Sequence, residues 1–457
     1  MCEMNDRRQI FAWAMYDWAN SAYITTVTVA VLPIYFAGTV VPPDGFIIGG
    51  TRYSATTLWA FLISLSTFII FLTAPVLGAV ADFTAAKKRF LMAFCWGGSL
   101  FATLLFFCGS GDVWKTMAFF LVAQVGFVGG NVFYDAFLPH IASEDRIDRV
   151  SGKGYAYGYL GGGIQFALSL ALISCHGALG IDRALAARIA MVSAGLWWAG
   201  FSAVTFFILK ETGVSEPLPE RYRSMPRPLA LARLGIDRTV ATALRVRRYS
   251  HLLLFLVAFM IYDDGIQTVI TMATIYGAEE IKLETSVLMI TLLIIQFIAI
   301  FGALLFSRLG ELISAKRALL ITLLLWSGVV IYAAWFLTGP VEYMVLGSIL
   351  GIVLGGSQSL SRSLYGSMIP AQASAEFYGF YSVFSKFSAI FGPLVFGIIR
   401  HVSGSSRNAI VSLVVFFLVG MILLSFVDVG KVKATCRDEW GNHAPGARGA
   451  GNELGAE

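Results

Sequence analysis

Long runs of apolar residues dominate this chain and limit its fold more than any other feature. A helix of about 20 apolar residues crosses the roughly 30 Å hydrocarbon core of a bilayer. Open strands cannot do so, because their backbone groups would lack hydrogen-bond partners in lipid. The runs predict twelve transmembrane helices, at residues 9–37, 57–81, 90–109, 114–139, 154–175, 188–209, 250–276, 285–306, 318–338, 342–368, 376–400 and 408–428.

The composition agrees with this class. The chain has 57% hydrophobic and 13% charged residues, whereas soluble globular domains have about 25% charged residues. Lys and Arg are concentrated in the connections on the N-terminal side of the membrane, so the positive-inside rule places both termini in the cytoplasm. We expect an integral, multi-pass protein of a bacterial inner (cytoplasmic) membrane.

A polar segment at residues 210–249 divides the twelve spans into two groups of six. It is rich in proline and arginine, and we interpret it as a solvated, basic, cytoplasmic linker. The sequence therefore predicts an N-terminal six-helix bundle over residues 1–209 and a C-terminal six-helix bundle over 250–428. Residues 429–457 are predicted to be a disordered cytoplasmic tail, because the segment from Gly441 is rich in glycine and alanine.

The two halves contain similar motifs in the same order. Tyr16-Asp17 in the first span matches Tyr262-Asp263 in the seventh. The sequence GAVADFTAAKKR after the second span matches SRLGELISAKR after the eighth, and FLPHIAS at the end of the fourth span matches SMIPAQAS at the end of the tenth. Three matches in order indicate a duplicated unit, so the predicted fold is all-α with two pseudo-symmetric six-helix bundles.

Ionisable residues lie well inside only the first, fourth, seventh, tenth and eleventh spans. A charge at the centre of a span costs on the order of 3 kcal/mol, so these residues should face water or one another. Polar residues accompany them at helical spacing, which gives four spans a polar stripe. The predicted substrate or coupling-ion contacts are Asp17, Asn20, Ser21, Asn131, Asp135, Asp263, Asp264, Gln267, Gln358, Arg362 and Lys386.

Structural interpretations of these charges stay open at this point. Asp17 also fits a helix cap near the interface, Asp135 with Arg362 fits an ion pair between helices, and Lys386 fits a long side chain that reaches toward the cytoplasm. The neighbours Asp263 and Asp264 point about 100° apart on a helix, and both cannot face lipid. We expect at least one of them to face a cavity.

Motifs of enzymes and of ATP-driven pumps do not occur in the sequence. In GSGDVWKT, residues 109–116, Trp114 occupies the position of the second glycine of a nucleotide-binding loop. The chain contains no G-x-S-x-G or H-E-x-x-H motif, and its five histidines are scattered. We therefore expect no enzymatic activity, no cofactor, no metal site and no nucleic-acid partner.

Several of these motifs resemble those of a known transporter family. The GAVAD motif with KKR, the doubled plan and the basic central loop resemble the major facilitator superfamily. Within it, YDWANSAY at 16–23, LPHIAS at 138–143, RVSGKGYAYGYLGGG at 149–163, YDDGIQTVI at 262–270 and GGSQSLSRSLYGSMIP at 355–370 are similar to the vacuole-effluxer-like branch, named for a fungal autophagy-related amino-acid effluxer. The resemblance implies the major facilitator fold, alternating access and solute transport, with amino acids as the substrate class.

The sequence thus predicts a monomeric secondary transporter that moves a small polar solute between its two halves, with protons as a candidate coupling ion and membrane lipid as its surroundings. The predicted cytoplasmic gate consists of Asp82, Lys87, Lys88 and Arg89 in the first half and Glu311, Lys316 and Arg317 in the second. The alternative is a membrane sensor or scaffold that has a transporter fold but does not transport.

Overall fold

The computed structural model describes residues 4–211, 213, 215–245, 249–388 and 391–441. Within these residues, twelve helices are long and apolar enough to cross a membrane, which confirms the predicted number. We refer to them as spans 1 to 12. They are Arg7–Val40, Ala55–Thr84, Lys87–Phe107, Val113–Ile141, Ile147–Ser174, Arg183–Ile208, Ser250–Ala278, Thr285–Ile313, Ala315–Trp335, Pro340–Met368, Ala371–Ser403 and Ser406–Ser425.

Polar caps explain why several spans begin before the apolar runs that predicted them. The Asp6 carboxylate accepts a hydrogen bond from the backbone N–H of Arg8 at 2.9 Å. The Ser54 hydroxyl accepts one from Thr57 at 3.2 Å, and Asp182 accepts one from Leu185 at 2.6 Å. Such side chains satisfy the free N–H groups of a first helical turn. The polar first turns therefore belong to the helices, although the hydropathy pattern leaves them out.

Span 1 departs from regular α-helix. Its middle section, Tyr23–Val31, and its last turn, Phe36–Val40, are π-helical. Segments of this kind are rare and often occur at functional sites. The π-helical section of span 1 includes Ile24, Thr25 and Val29, which line the large cavity described below.

The connections between spans alternate between two sides of the molecule. We call the side with the N-terminus of span 1 and the connection between spans 6 and 7 the terminal face. The other side, the hairpin face, has a small antiparallel hairpin between spans 1 and 2, formed by strands Phe46–Ile48 and Thr51–Tyr53. Its two-residue turn, Gly49-Gly50, has positive φ angles of 57° and 83°, which glycine adopts without strain.

Two helices lie outside the membrane spans, where the sequence analysis expected a solvated linker and a disordered tail. Arg227–Arg245, the linker helix, packs against span 2. Val429–Gly441, the tail helix, has a buried Val432, and the Cys436 thiol donates to the Met368 carbonyl at 3.2 Å. The amphipathic patterns of these short helices are hidden in segments of low mean hydropathy. The expectation of disorder over residues 442–457 lies outside the described residues.

Spans 1–6 form one bundle of helices and spans 7–12 form the other. The bundles meet along two pairs of helices, span 5 with span 8 and span 2 with span 11. Small residues allow close approach at both contacts: Gly152 packs on Ser307 in the first, and Gly78 packs on the Ala375 backbone in the second. The interface between the bundles thus surrounds a central space that both halves line.

Candidate solute-binding site between the bundles

A cavity of about 410 Å³ lies between the two bundles. Spans 1, 4 and 5 line it from the first bundle, and spans 7, 8 and 10 line it from the second. The site residues that the sequence predicted lie on spans 1, 4, 7, 10 and 11, so they did not include spans 5 and 8, which have no interior charge. The predicted site residues that line this cavity are Asp17, Asn20, Ser21, Asn131, Asp135, Gln267, Gln358 and Arg362.

Arg362 connects the two bundles at the terminal-face end of the cavity. Its Nη1 lies 3.3 Å from Asp17 Oδ2 on span 1 and 3.2 Å from Asp135 Oδ1 on span 4. Its Nε donates to the Ser151 hydroxyl at 3.0 Å, and Nη2 donates to the Ser151 carbonyl at 2.8 Å. The ion pair between Asp135 and Arg362 is therefore present, and it also includes Asp17; both carboxylates line the cavity.

Three aromatic rings surround the Arg362 guanidinium. The guanidinium carbon lies 4.0 Å from the ring centre of Tyr155, 4.9 Å from that of Trp13 and 5.4 Å from that of Tyr134. Tyr134 also donates a hydrogen bond to Asp17 Oδ2 at 3.0 Å. Aromatic faces stabilise a cation within about 6 Å, so the rings hold the guanidinium in place and partly replace its hydration.

Glycines on span 5 bring span 1 close to this site. A Cβ atom at Gly154 would lie 2.7 Å from Trp13 Cζ3 and 2.8 Å from Arg362 Nη2, and one at Gly158 would lie 2.8 Å from Ser21 Oγ. Real Cβ atoms do not pack at such distances. The glycines of span 5 therefore form a flat face, and the neighbour that this face admits is span 1.

Uncharged polar groups line the cavity between Arg362 and the hairpin face. Asn20 Nδ2 donates to Asn131 Oδ1 at 2.6 Å, and the Tyr159 hydroxyl donates to Gln358 Oε1 at 2.6 Å. Gln296 Nε2 on span 8 donates to Thr25 Oγ1 on span 1 at 3.0 Å. These side chains offer amide and hydroxyl groups to a polar solute.

A second cavity, of about 150 Å³, adjoins the first and is lined by Asp263 and Lys386. The Asp263 carboxylate accepts hydrogen bonds from Ser388 at 2.7 Å, from Ser385 at 3.3 Å and from Gln267 at 3.4 Å. Lys386 lies on the same span as the two serines. Asp263 therefore occupies, between spans 7 and 11, a position related by the internal duplication to that of Asp17 between spans 1 and 5.

Asp264 does not line either of these two cavities. Its carboxylate accepts a hydrogen bond from the backbone N–H of Gly392 at 2.8 Å, next to the start of helix Phe391–Ser403. The carboxylate thus satisfies a free N–H at a helix N-terminus. The sequence pattern could not separate it from its neighbour Asp263, because the pattern does not fix which side of span 7 faces the cavity.

The first copy of the loop motif contacts the opposite bundle at the terminal face. Asp82 and Lys87 form a buried ion pair at 2.9 Å. Asp82 also accepts hydrogen bonds from the backbone N–H groups of Ala375 at 3.3 Å and Glu376 at 2.9 Å, at the start of the helical part of span 11 that covers Ser374–Phe387. Lys87 Nζ lies 2.9 Å from His140 Nε2. These contacts close the terminal face between spans 2 and 11.

The second copy of the motif has different partners. Glu311 pairs with Arg149 of the first bundle at 3.1 Å, whereas Lys316 donates to the carbonyls of Ser425 and Val427, each at 2.7 Å. Within the described part of the chain, the other predicted gate residues are not seen in contacts between the bundles. The backbone N–H of Lys88 donates to Glu211, and the side chains of Arg89 and Arg317 are exposed.

Several groups that hold this site in place were not predicted as site residues. Ser151 binds Arg362, Trp13 and Tyr155 stack on it, and Ser388 binds Asp263. Trp13 lies four residues before Asp17, on the same side of span 1, so helical spacing could have placed it. Ser151 and Ser388 gave no such signal, because serine is common in the packed faces of membrane helices.

Comparison with known proteins decides the family. The family described as "Vacuole effluxer Atg22 like" matches residues 5–437. The chain belongs to this Atg22-like family. The match covers both bundles, so the resemblance noted in the sequence motifs is confirmed.

Two curated relatives and one solved structure are similar to this chain over most or much of its length. An uncharacterized MFS-type transporter, YxiO of Bacillus subtilis, is 32% identical over 92% of this chain and 95% of its own length. Autophagy-related protein 22-1 of Aspergillus niger is 28% identical over 62% of this chain and 48% of its own length. The chain spans about half the length of that fungal relative.

The solved structure is that of FucP, a major facilitator superfamily transporter, in the outward conformation. It superposes with a TM-score of 0.68 at 12% identity and covers 92% of this chain and 98% of its own. At this identity the likeness shows the fold alone. Together with the twelve spans, it identifies this Atg22-like protein as an integral, multi-pass membrane protein with the major facilitator fold.

Proposed function

We propose that this Atg22-like protein is a secondary transporter that carries a small polar solute by alternating access. The observation that supports this function best is the cavity of about 410 Å³ between the bundles, which has Arg362, Asp17 and Asp135 at one end. Its volume lies in the range of about 300–1,000 Å³ that is typical of small-molecule sites. Groups from both bundles meet in it, so a bound solute would contact both.

The cavity fits a state that is open toward the hairpin face. It extends along span 10 from Arg362 to Tyr343, a distance of roughly 28 Å at 1.5 Å per residue, and Tyr343 lies close to the hairpin-face end of that span. The terminal face is closed by the hydrogen bond from Glu376 of span 11 to Asp82 of span 2 and by the Arg149–Glu311 pair. Transport requires these contacts to break while the bundles close at the hairpin face.

Amino acids are the proposed substrate class. An amino acid carries a carboxylate and an ammonium group, and this site offers a guanidinium beside two carboxylates. Arg362 would bind the substrate carboxylate, while Asp17, Asp135 or Asp263 would bind the ammonium. The name of the family, an effluxer, supports transport, and amide groups such as those of Asn131 and Gln358 suit the polar remainder of the solute.

Protons are the proposed coupling ion. Asp17 and Asp135 together carry two negative charges when ionised, and Arg362 supplies one positive charge. An unbalanced charge in a low-dielectric interior is costly, so a proton on one carboxylate would lower the free energy of the empty site. A zwitterionic amino acid adds no net charge, so the loaded site would favour the same proton, and solute and proton would move together.

We further propose a monomer of two bundles, residues 1–209 and 250–428, joined by the linker at 210–249. The excess of Lys and Arg at the terminal face supports a cytoplasmic location for both termini, in a bacterial inner membrane. On this orientation the cavity opens to the outside. The proposed transport step requires no cofactor, metal or nucleic acid.

Counterflow in proteoliposomes tests the proposed function. Vesicles loaded with an unlabelled amino acid should accumulate the same labelled amino acid, whereas vesicles loaded with a sugar or a nucleoside should not. Binding in a thermal-shift assay without any counterflow would contradict transport and favour a sensor. Because the linker helix packs on span 2, deletion of the linker would disturb the fold, and point substitutions separate the two functions better.

A further inference from the structure

The linker helix, Arg227–Arg245, has apolar residues on two opposite sides. One side is buried: Ala230 and Leu234 pack with Tyr222 and with Phe83 of span 2. The other side faces away from the protein and is formed by Leu229, Ile236, Val240 and Leu244, which are 58%, 49%, 51% and 68% exposed. We call these four residues the outer stripe. Exposure of four neighbouring apolar side chains to water is unfavourable, which indicates that the outer stripe contacts something other than water.

The linker helix lies beside span 2, not beneath it. A Cβ atom at Gly235 would lie 2.9 Å from the Val76 carbonyl oxygen and 2.7 Å from Val80 Cγ2. Val76 is eight residues before Thr84, the end of span 2, which corresponds to about 12 Å along the helix axis. A helix packed under the bundle would touch only the last turn. The linker helix therefore packs against the side of span 2, and its outer stripe points away from the bundle.

The surface that the linker helix covers continues a lipid-facing row on span 2. Leu65, Phe68 and Leu72 are 47%, 55% and 54% exposed, and Val76 and Val80 follow them at helical spacing on the same side of the helix. Span 2 has 30 residues, about 45 Å in length, so several residues at each end extend beyond a hydrocarbon core of about 30 Å. The contact at residues 76–83 therefore falls at the boundary between acyl chains and headgroups.

Arginine determines which lipid fits this position. Residues 215–249 contain eight arginines, against the acidic residues Glu216, Glu220 and Asp237. Arg238 pairs with Glu216, and Arg233 lies 3.6 Å from Asp237. The acids are too few to neutralise all the arginines, so the segment keeps a positive charge next to the outer stripe. An amphipathic helix with apolar residues on one side and arginines around it binds anionic membrane surfaces.

We propose that the linker helix lies in the plane of the membrane surface, with its outer stripe at the acyl boundary and its arginines on anionic phospholipid headgroups. This surface is separate from the solute cavity and does not depend on what is transported. It has a consequence for the gate, because the same end of span 2 packs through Gly78 on Ala375 of span 11 and contains Asp82. Lipid bound to the linker helix would hold this end of span 2 in place.

A fluorescent probe on the full chain in nanodiscs tests this placement. The variant Ile236→Cys is labelled with an environment-sensitive dye in a chain with Cys2 and Cys175 replaced by serine; the remaining Cys95, Cys108 and Cys436 are buried. The control position is Glu220, whose side chain is 89% exposed. In discs of phosphatidylcholine with phosphatidylglycerol, we expect the dye at 236 to be blue-shifted and quenched by lipid-attached nitroxide, and the dye at 220 to be quenched by aqueous iodide.

A variant that removes one positive charge tests whether the arginines bind anionic lipid. Replacing Arg233 with glutamine should weaken the response of the dye at 236 to anionic lipid about fivefold, since each basic residue near such a surface contributes about 1 kcal/mol. Iodide quenching at 236 in every disc would overturn the proposal, as would an equal response to neutral and anionic discs. Cross-linking of position 236 between two copies of the chain would overturn it in favour of a dimer contact.

Discussion

The guanidinium of Arg362 in the second bundle lies 3.3 Å from the carboxylate of Asp17 in the first. The two residues are 345 positions apart in sequence, yet they form part of one buried cluster that also contains Asp135. A solute that binds Arg362 competes with both carboxylates. In the proposed transport cycle, this competition weakens an attraction that holds the bundles together, and so links solute binding to movement.

Replacing Arg362 separates its charge from its geometry. Arg362→Lys keeps the positive charge but cannot bind Ser151, Asp17 and Asp135 at once. We expect counterflow to fall roughly 10- to 100-fold, from the loss of a charged hydrogen bond worth about 1.5–3 kcal/mol. Arg362→Ala leaves two buried carboxylates unpaired and should lower the free energy of unfolding by about 3–5 kcal/mol. Wild-type counterflow in folded Arg362→Lys protein would argue against a role in transport.

The neighbours Asp263 and Asp264 form a matched pair, because they have the same chemistry but face different surroundings. Asp263→Asn removes a charge from the second cavity. It should reduce counterflow tenfold or more, because a hydrogen bond to a charged group contributes about 1.5 kcal/mol or more. Asp264→Asn retains an oxygen that can accept from Gly392, so transport should stay close to wild type. Equal losses in both variants, measured at equal protein per vesicle, would count against Asp263 as a solute contact.

Asp82 is expected to hold the terminal face closed. Asp82→Asn weakens the hydrogen bonds that Asp82 accepts from Ala375 and Glu376 of the opposite bundle, a loss of about 1.5–3 kcal/mol that would shift the ratio of closed to open states roughly 10- to 100-fold. Spin labels at the exposed positions Arg89 and Arg317, one in each bundle, should then show a longer distance by pulsed electron spin resonance. Lys88→Gln is the control, because Lys88 contacts Glu211 through its backbone. An unchanged distance in Asp82→Asn would refute this gate.

Two glycines in different surroundings test the packing of span 5 on span 1. A Cβ at Gly161 would overlap the backbone oxygen of Trp18, whereas a Cβ at Gly200 on span 6 meets nothing within 4 Å. Gly161→Ala should lower the free energy of unfolding by about 1–3 kcal/mol. Gly200→Ala should be neutral or stabilising by up to about 1 kcal/mol, because alanine favours a helix. Thermal unfolding in detergent measures both, and equal melting temperatures would show that the helices are not in close contact.

The sequence was most informative about elements with a strong local pattern. Apolar runs of sufficient length gave all twelve spans, and their interior charges at Asp17, Asp135 and Arg362 gave the residues that meet at the end of the cavity. The prediction of the interior site residues rests on the free-energy cost of placing a charged group in lipid. The linker helix was missed because its outer stripe is interrupted by arginines, so that its mean hydropathy resembles that of a solvated loop.

Contacts between distant parts of the chain could not be predicted from local pattern. Spacing placed Asp263 and Asp264 on span 7 but did not show that Asp264 caps a helix of span 11. The duplicated loop motif suggested equivalent ion pairs, yet Lys316 binds carbonyls at the end of span 12. In both cases the partner is chosen by how the spans pack, which depends on side chains far away in sequence.

Locking the terminal face tests alternating access most directly. A Cβ atom at Gly310 of span 8 would lie 3.3 Å from Asp148 Cγ of span 5, close enough for a disulfide between cysteines at 148 and 310. Counterflow of the labelled amino acid is measured on the same proteoliposomes after oxidation and again after reduction. Alternating access predicts that oxidation abolishes counterflow and that reduction restores it. Full counterflow in the oxidised, cross-linked protein would contradict movement of solute between these bundles.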